Sequence, residues 1–166
     1  PEGGVDAATG SIEGLESAGA ILLVGVDPLV HQPVLYLRLR KAATKRGARL
    51  IAISPRPTAL AKLGSAWLRP AEGREATVVM SLINVLLSEG LIEDARERLG
   101  AQYETMMVDV AGYMPEILEG QTGVAASTVR EAARSLAAAR SAAILFPRPV
   151  PGDPAGLQEE CLRLAK

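Results

Sequence analysis

Cysteine and histidine are almost absent from this sequence, which has one of each, Cys161 and His31. A structural zinc site takes four ligands, mostly Cys and His, and an iron–sulfur cluster takes four thiolates, so neither can be assembled from these side chains. A disulfide needs two cysteines, so no disulfide framework can form. This cysteine usage is compatible with a reducing compartment.

Aromatic residues, net charge and long apolar runs are scarce as well. The chain has one Phe, one Trp and three Tyr, too few for the aromatic platforms on which single-stranded nucleic acid stacks. Its formal net charge of −1 disfavours nucleic-acid binding driven by bulk electrostatics. No apolar run approaches the roughly 18–20 residues of a membrane-spanning helix. We therefore expect no nucleic-acid partner and no direct membrane insertion.

What is present is a globular composition. The 166 residues are 48% hydrophobic and 22% charged, which suits a single domain over residues 1–166 with one sizeable core. The opening PEGGVDAATG lacks an initiator Met and a basic-then-apolar signal pattern, so we interpret the chain as a fragment of a longer protein. Residues 1–11 are expected to be disordered or loosely packed.

Apolar runs of strand length predict a buried sheet. They lie at Ala20–Val26, Arg49–Ser54 and Ala142–Phe146, with a short third strand in chain order at Ala66–Leu68. The runs are continuous rather than alternating, which is typical of parallel strands covered on both faces. We predict a Rossmann-like α/β fold, an open parallel sheet with helices on both faces.

Helical periodicity separates these strands. Apolar residues from Leu35 to Ala43 predict a helix that ends before Gly47 and carries a polar stripe of Arg38, Lys41 and Lys45. We expect this stripe to be exposed to solvent. An amphipathic helix is predicted next, with apolar residues from Val79 to Leu87.

The second half of the chain predicts three more helix starts. Pro115 is expected to begin a short helix. Thr128 and Glu131 fit a capping box for a helix with Val129, Ala132, Ala133 and Leu136 on its apolar face. Asp153 is expected to begin a C-terminal helix that carries Leu157, Cys161 and Leu164.

Three turns follow the carboxyl ends of the predicted strands, where open parallel sheets bind ligands. They are Gly25–Pro28, Ser54–Arg56 and Arg69–Gly73. The first could present backbone N–H groups to a phosphate at a helix start. However, G-x-G-x-x-G and a P-loop are both absent, and Ser54 stands where a dinucleotide fold has an acid for the ribose. A nucleotide site and a plain turn both remain open.

Other candidate residues have a structural alternative. His31 could be a general base, but no recognisable nucleophile motif accompanies it, which favours a packed or exposed turn histidine. Cys161 is expected to be a buried, inert thiol, and Met106 and Met107 to be core residues. The basic stretch from Arg38 to Arg49 has six Lys or Arg and no acid. It is either a solvated helix face or a docking surface for another domain or subunit.

The segments ILLVGVDP, GARLIAISPR and AWLRPAEGREA, in this order, resemble the nucleotide-binding domain of the molybdopterin oxidoreductase family. That family has a strand ending G-x-N-P, a second ending I-D-P-R, and then a segment similar to A-D-x-x-L-x-x-R-P-G-T-D-A-A. TGVAASTVREAARSLAAARSAAILF also resembles the family's next helix and strand. The resemblance implies a sheet whose carboxyl edge holds the guanine-nucleotide tails of a pterin cofactor.

This sequence departs from the family pattern at that edge. Asp27 replaces Asn, Ser54 replaces Asp, Glu72-Gly73-Arg74 disturbs the Gly-Thr-Asp turn, and FPRPV lacks a glycine-rich turn. An added acid repels a pyrophosphate, and Arg56 could instead pair with Asp27 and close the site. We therefore predict no catalytic residue, no metal ligand and no bound cofactor in this segment. The predicted eroded nucleotide crevice comprises Gly25, Asp27, Pro28, Ser54, Arg56, Arg69 and Glu72.

One branch of the family resembles this sequence with its eroded nucleotide crevice. It is the large iron–sulfur subunit of bacterial NADH-quinone oxidoreductase, respiratory complex I, whose C-terminal half generally lacks molybdopterin. The resemblance implies a cofactor-free scaffold in a parent chain with iron–sulfur clusters upstream, taking part in electron transfer from NADH to quinone. It also implies contacts with other subunits of the respiratory complex and a peripheral position on the cytoplasmic side of the bacterial inner membrane.

Two other functions remain open besides that of a cofactor-free scaffold. One is the nucleotide-binding domain of a molybdopterin-dependent oxidoreductase, such as a formate dehydrogenase, that binds molybdopterin guanine dinucleotide. The other is a free-standing nucleotide-binding module, which the missing glycine fingerprint disfavours.

Overall fold

A computed structural model describes residues 12–147, and these residues form the predicted parallel sheet with helices on both faces. The strands are β1 Ala20–Val24, β2 Arg49–Ile53, β3 Ala66–Leu68 and β4 Ala142–Leu145. They pair in the order β3-β2-β1-β4, and each pairing is parallel. Because β4 lies on the other side of β1 from β2, the order of the strands reverses between β1 and β4.

Helices of very different lengths connect the strands. They are α1 Ile12–Ser17, α2 Pro28–His31, α3 Pro33–Lys45, α4 Ala59–Leu63, α5 Glu75–Ser88, α6 Ala95–Leu99, α7 Gln102–Val110, α8 Pro115–Thr122 and α9 Ala126–Ala137. The predicted start of a helix at Pro115 is confirmed. No helix within residues 12–147 is long and apolar enough to cross a membrane.

The side chains of β1 divide between two apolar cores. Leu22 and Val24 belong to the core that contains the buried residues of α5, α7 and α9. Ile21 and Leu23 belong to the core that contains the buried residues of α3 and α4. This arrangement explains the continuous apolar runs, because helices cover both faces of each central strand.

Three strands end before their apolar runs end. β1 stops at Val24 because Gly25 takes a φ of +62°, in the left-handed region that favours glycine. β2 stops before Ser54 and β4 before Phe146. The apolar runs at β1 and β4 extend beyond the strands because the residues that follow still pack against the cores. Val26 packs against the core of α3 and α4, and Phe146 belongs to the core of α5, α7 and α9.

The expected amphipathic character of α5 is wrong. Eleven of its 14 residues are buried, because α7, α8 and α9 pack against the helix and its apolar side chains share one core with those of the sheet. Its two buried polar side chains donate to backbone carbonyls at the end of α7 and just after it. Ser81 Oγ donates to the Tyr113 carbonyl at 2.9 Å, and Asn84 Nδ2 donates to the Val110 carbonyl at 2.8 Å.

The predicted capping box is also wrong, although the apolar face of α9 is confirmed. The helix begins at Ala126, so Thr128 lies inside its first turn. The Ala126 N–H donates to the carboxylate of Glu119 on α8 at 3.1 Å. A neighbouring helix thus supplies the acceptor that we expected from a local hydroxyl. Two predictions, the C-terminal helix from Asp153 and the state of residues 1–11, lie outside the described residues.

Candidate nucleotide crevice

The three predicted turns lie side by side at the carboxyl edge of the sheet. The Gly25 N–H donates to the Ile53 carbonyl at 2.9 Å, which joins the end of β1 to the end of β2. The Ser54 N–H donates to the Leu68 carbonyl at 3.1 Å, which joins β2 to β3. The register of parallel strands therefore brings distant sequence segments to one edge, as expected.

An open crevice of about 510 Å³ lies at this edge, beyond the ends of β2 and β3. Its volume falls within the usual range of small-molecule and cofactor sites. Of the predicted site residues it includes Arg56, Arg69 and Glu72. Gly25, Asp27, Pro28 and Ser54 lie outside its lining. The lining residues are Pro55, Arg56, Pro57, Arg69, Pro70, Ala71, Glu72, Thr122 and Gly123.

An ion pair connects two walls of the crevice. Arg56 follows β2 and Glu72 follows β3, and the guanidinium of Arg56 lies 2.9 Å from the carboxylate of Glu72. The side chains are 79% and 69% exposed. A pair this exposed contributes little stability, so a ligand anion can compete for Arg56 at small cost. The expected pairing of Arg56 with Asp27 is wrong, because Glu72 lies within reach of the guanidinium.

Arg69 is held in place at the other side of the crevice. Its Nε donates to the Pro55 carbonyl at 3.3 Å, and its guanidinium lies over the Trp67 ring, 5.5 Å from the centroid. Trp67 is fixed in turn, because its indole N–H donates to the Ser54 carbonyl at 2.9 Å. An arginine held by a hydrogen bond and a cation–π contact has little freedom left to lose when it binds an anion.

Ser54 is directed into the turn. The residue is 7% exposed, and its hydroxyl donates to the Arg56 carbonyl at 2.7 Å. This hydrogen bond shapes the Ser54–Arg56 turn, which places the Arg56 guanidinium at the crevice. Because it is buried, Ser54 cannot replace the acid that contacts a ribose in a dinucleotide fold.

Asp27 has a local structural role. Its carboxylate accepts a hydrogen bond from the Leu29 N–H at 3.2 Å, at the start of α2. Asp at this position is a common helix N-cap. The negative charge of Asp27 therefore stays at the β1 turn, beside the place where the strand order reverses.

Thr122 and Gly123 complete the crevice and were not among the predicted site residues. The Thr122 carbonyl accepts from the Ala71 N–H at 2.8 Å, which holds the end of α8 against the turn after β3. Gly123 has a φ of +74° and ends α8. A glycine after an apolar helix predicts a helix end. Only the tertiary contact brings that end to the crevice.

Two residues of the basic stripe on α3 pair with one carboxylate. Arg38 and Lys41 are 41% and 55% exposed, as expected, but both pair with Glu16, at 2.7 and 3.5 Å. Arg46 approaches the same carboxylate at 3.1 Å. Burial alone would raise the pKa of Glu16, whose side chain is 11% exposed, but the Lys41, Arg38 and Arg46 cations outweigh it and lower that pKa. The stripe thus fixes α1 to α3.

Of the remaining candidate residues, the structure describes the side chains of the two methionines but not those of His31 and Cys161. Met106 is buried and Met107 packs against the same core, as expected. His31 lies at the end of α2, but its side chain is outside the described part of the structure, and so is Cys161. Within residues 12–147, no group of three or more His, Cys, Asp or Glu side chains could hold a metal ion.

The crevice fits the phosphate-bearing part of a nucleotide better than it fits the ribose. Two guanidinium groups, from Arg56 and Arg69, meet one carboxylate, from Glu72. Guanidinium groups suit phosphate because their N–H groups can bind it in pairs. No acid follows β2, where the ribose hydroxyls would need an acceptor.

Residues 4–145 match the family described as Molybdopterin oxidoreductase. The F420-dependent formate dehydrogenase 1 subunit alpha of Methanococcus maripaludis is 31% identical over 144 residues, which are 86% of this chain and 21% of that protein. Formate dehydrogenase H of Escherichia coli is 28% identical over 144 residues, 86% of this chain and 20% of that protein. The chain therefore spans about a fifth of the length of these relatives.

A solved structure is similar as well. Acetylene hydratase from Pelobacter acetylenicus superposes with a TM-score of 0.71 and 26% sequence identity, covering 87% of this chain and 20% of that chain. The similarity covers most of this chain and supports the parallel α/β architecture.

Proposed function

Since the chain belongs to the molybdopterin oxidoreductase family, we propose that it is the nucleotide-binding domain of a molybdopterin-dependent oxidoreductase similar to the formate dehydrogenases. The crevice between the turns after β2 and β3 carries the proposal, because it combines suitable volume with two arginines at the expected edge of the sheet. The relatives named formate dehydrogenase support this proposal over the alternatives.

Arg56 and Arg69 would hold the phosphate groups of the cofactor's nucleotide tail. Arg69 is already positioned by Pro55 and Trp67, whereas Arg56 has to exchange the carboxylate of Glu72 for a phosphate. The remaining walls are formed by Pro55, Pro57, Pro70, Ala71, Thr122 and Gly123. When bound, the pterin-held molybdenum would supply redox chemistry, and the residues of this chain would contribute binding and orientation.

Calorimetric titration of the 166-residue chain with guanosine diphosphate tests the proposal. We expect micromolar binding that weakens at least about tenfold in Arg69→Ala, because a charge-assisted hydrogen bond contributes roughly 1.5–3 kcal/mol. Lys62→Ala is the matched control, since Lys62 is an exposed cation on α4 outside the crevice. Absence of binding to the nucleotide and to extracted pterin cofactor would overturn the proposal.

The second candidate is the cofactor-free scaffold of a bacterial NADH-quinone oxidoreductase large subunit. Its support is the acidic charge at Asp27 and Glu72 together with the buried hydroxyl of Ser54. In such a protein the iron–sulfur clusters would lie upstream, the partners would be other subunits of the respiratory complex, and the location would be peripheral, on the cytoplasmic side of the inner membrane. A chain that binds no guanine nucleotide or pterin, even after Glu72→Gln, would favour this candidate.

A further inference from the structure

The charges of this chain are strongly separated along the sequence. Residues 28–71, which we call the basic segment, contain nine Lys or Arg and no Asp or Glu. Residues 89–119, which we call the acidic segment, contain eight Asp or Glu and two Arg. The net charge of −1 therefore conceals two regions of opposite sign.

Exposed apolar side chains concentrate in the same two segments. Within residues 12–147 every large hydrophobic side chain that is strongly exposed lies in one of them. Those in the basic segment are Leu29, Val30, Val34, Leu37 and Leu63, and those in the acidic segment are Val108, Met114 and Ile117. Apolar side chains surrounded by charge of one sign are typical of a protein interaction surface.

One face of α3 shows this combination most clearly. Val34 and Leu37 are 65% and 58% exposed and lie one turn apart, and Lys41 continues the same face on the next turn. Lys45 follows one turn later and is exposed. Glu16 neutralises only part of this surface. Arg40, Lys45 and Lys62 have no ion pair with any residue between 12 and 147.

The helices that carry Leu37 and Val108 lie in opposite layers of one molecule. The helices of the basic segment, α3 and α4, pack on one face of the sheet, and α7 of the acidic segment packs on the opposite layer against α5. We propose that they meet between molecules, so that the basic segment of one copy binds the acidic segment of a second copy head to tail.

The charge balance predicts a weak, salt-sensitive contact. Within residues 12–147, four acids of the acidic segment already have internal ion-pair partners: Glu89 pairs with Arg130 and Arg134, Asp94 with Arg98, Glu104 with Arg96, and Glu116 with Arg130. The side chains of Asp94, Glu104 and Glu116 remain 57%, 72% and 53% exposed, so they still contribute to the field that faces a partner. Exposed charges are screened within about 8–10 Å at physiological salt, so association should fall steeply as salt is added.

Sedimentation velocity of the 166-residue chain tests the proposal. We expect the weight-average mass to rise with concentration in about 0.02 M salt and the association constant to fall at least about tenfold in about 0.5 M salt. A basic-face variant combines Leu37→Glu with Lys45→Glu, and an acidic-face variant combines Val108→Asn with Ile117→Asn. Ser127→Glu is the control, since Ser127 is exposed on α9 outside both segments.

Mixing the two variants gives the decisive measurement. Each variant alone should remain monomeric with a native circular dichroism spectrum, whereas the mixture should form a 1:1 dimer that grows no further, because only one complementary pair of faces remains. A wild-type chain that stays monomeric at about 0.5 mM would overturn the proposal. So would a mixture that does not dimerise, or an acidic-face variant that associates as strongly as the wild type, which would indicate a symmetric contact instead.

Discussion

The guanidinium of Arg56 donates from both Nε and Nη2 to one oxygen of Glu72, at 3.1 and 2.9 Å. The same guanidinium is the group that we propose for phosphate binding, so Glu72 competes with the ligand. We predict that Glu72→Gln increases the affinity for guanosine diphosphate by about 1.5- to 5-fold, because an exposed ion pair contributes roughly 0.2–1 kcal/mol. Calorimetric titration of both proteins measures this change.

Glu131→Gln is the control for this substitution, because Glu131 is an exposed acid on α9 outside the crevice. It removes the same charge from the chain without releasing Arg56. Equal affinities of the wild type and Glu72→Gln, both in the micromolar range, would contradict competition by Glu72 and leave the nucleotide site itself intact.

The contacts of Glu16 predict a pH-dependent contribution to stability. Its pKa is below the ordinary value of 4.5, so the ionised carboxylate stabilises the folded chain above that value, and the contribution disappears as pH falls through the folded-state pKa. We predict that Glu16→Gln lowers the melting temperature at pH 7 and that the difference from the wild type shrinks toward acid pH. A difference that is constant from pH 7 to about pH 3 would exclude the ion pairs as its cause.

The fold followed from the sequence because its main signals are local. Runs such as Ala20–Val24 are apolar throughout, and glycines such as Gly25 mark the ends of strands and helices. Partners that lie far apart in sequence were missed for the opposite reason. Glu16 meets Arg38 across 22 positions, and Ala71 meets Thr122 across 51. The hydrophobic periodicity of the sequence around these residues does not indicate such contacts, so the walls of the crevice were only partly predictable.

α5 illustrates the same limit within the core. Its apolar residues from Val79 to Leu87 predicted a helix but not how many of its sides would be covered. Coverage depends on α7 and α8, which come later in the chain. Ser81 and Asn84 are buried as well, and they donate to the carbonyls of Tyr113 and Val110.

Asn84 provides a test of that buried contact. Asn84→Ala removes the donor to the Val110 carbonyl, which keeps a second donor in the Tyr113 N–H, so we predict a loss of about 0.5–1.5 kcal/mol. Asn84→Asp should cost at least about 2 kcal/mol at pH 7, because it puts a buried carboxylate against a carbonyl oxygen. Urea unfolding at pH 7 and at pH 4 measures both, and the deficit of the Asp variant should shrink at the lower pH, where the protonated acid can donate.

Ser88→Ala is the control for that series, since Ser88 is exposed at the end of the same helix. We expect it to change the free energy of unfolding by less than about 0.5 kcal/mol. An Asp variant as stable as the Ala variant at pH 7 would show that position 84 is hydrated in solution.

Gly64 tests the packing of the short connection between α4 and β3. A Cβ at this position would lie 2.6 Å from the Leu50 carbonyl oxygen and 3.0 Å from Leu50 Cδ2. That oxygen cannot yield easily, because it belongs to β2 and accepts from both the N–H and the hydroxyl of Ser65, at 2.8 and 3.0 Å. We therefore predict that Gly64→Ala lowers the free energy of unfolding by about 1–3 kcal/mol, the cost of overpacking.

Gly120→Ala on α8 is the matched control for Gly64→Ala, since no atom outside its own stretch of helix lies within 4 Å of its added Cβ. The higher helix propensity of alanine should make that variant more stable by up to about 1 kcal/mol. Urea unfolding of both variants measures the contrast, and equal stabilities would mean that β2 and β3 shift apart more readily than their parallel pairing indicates.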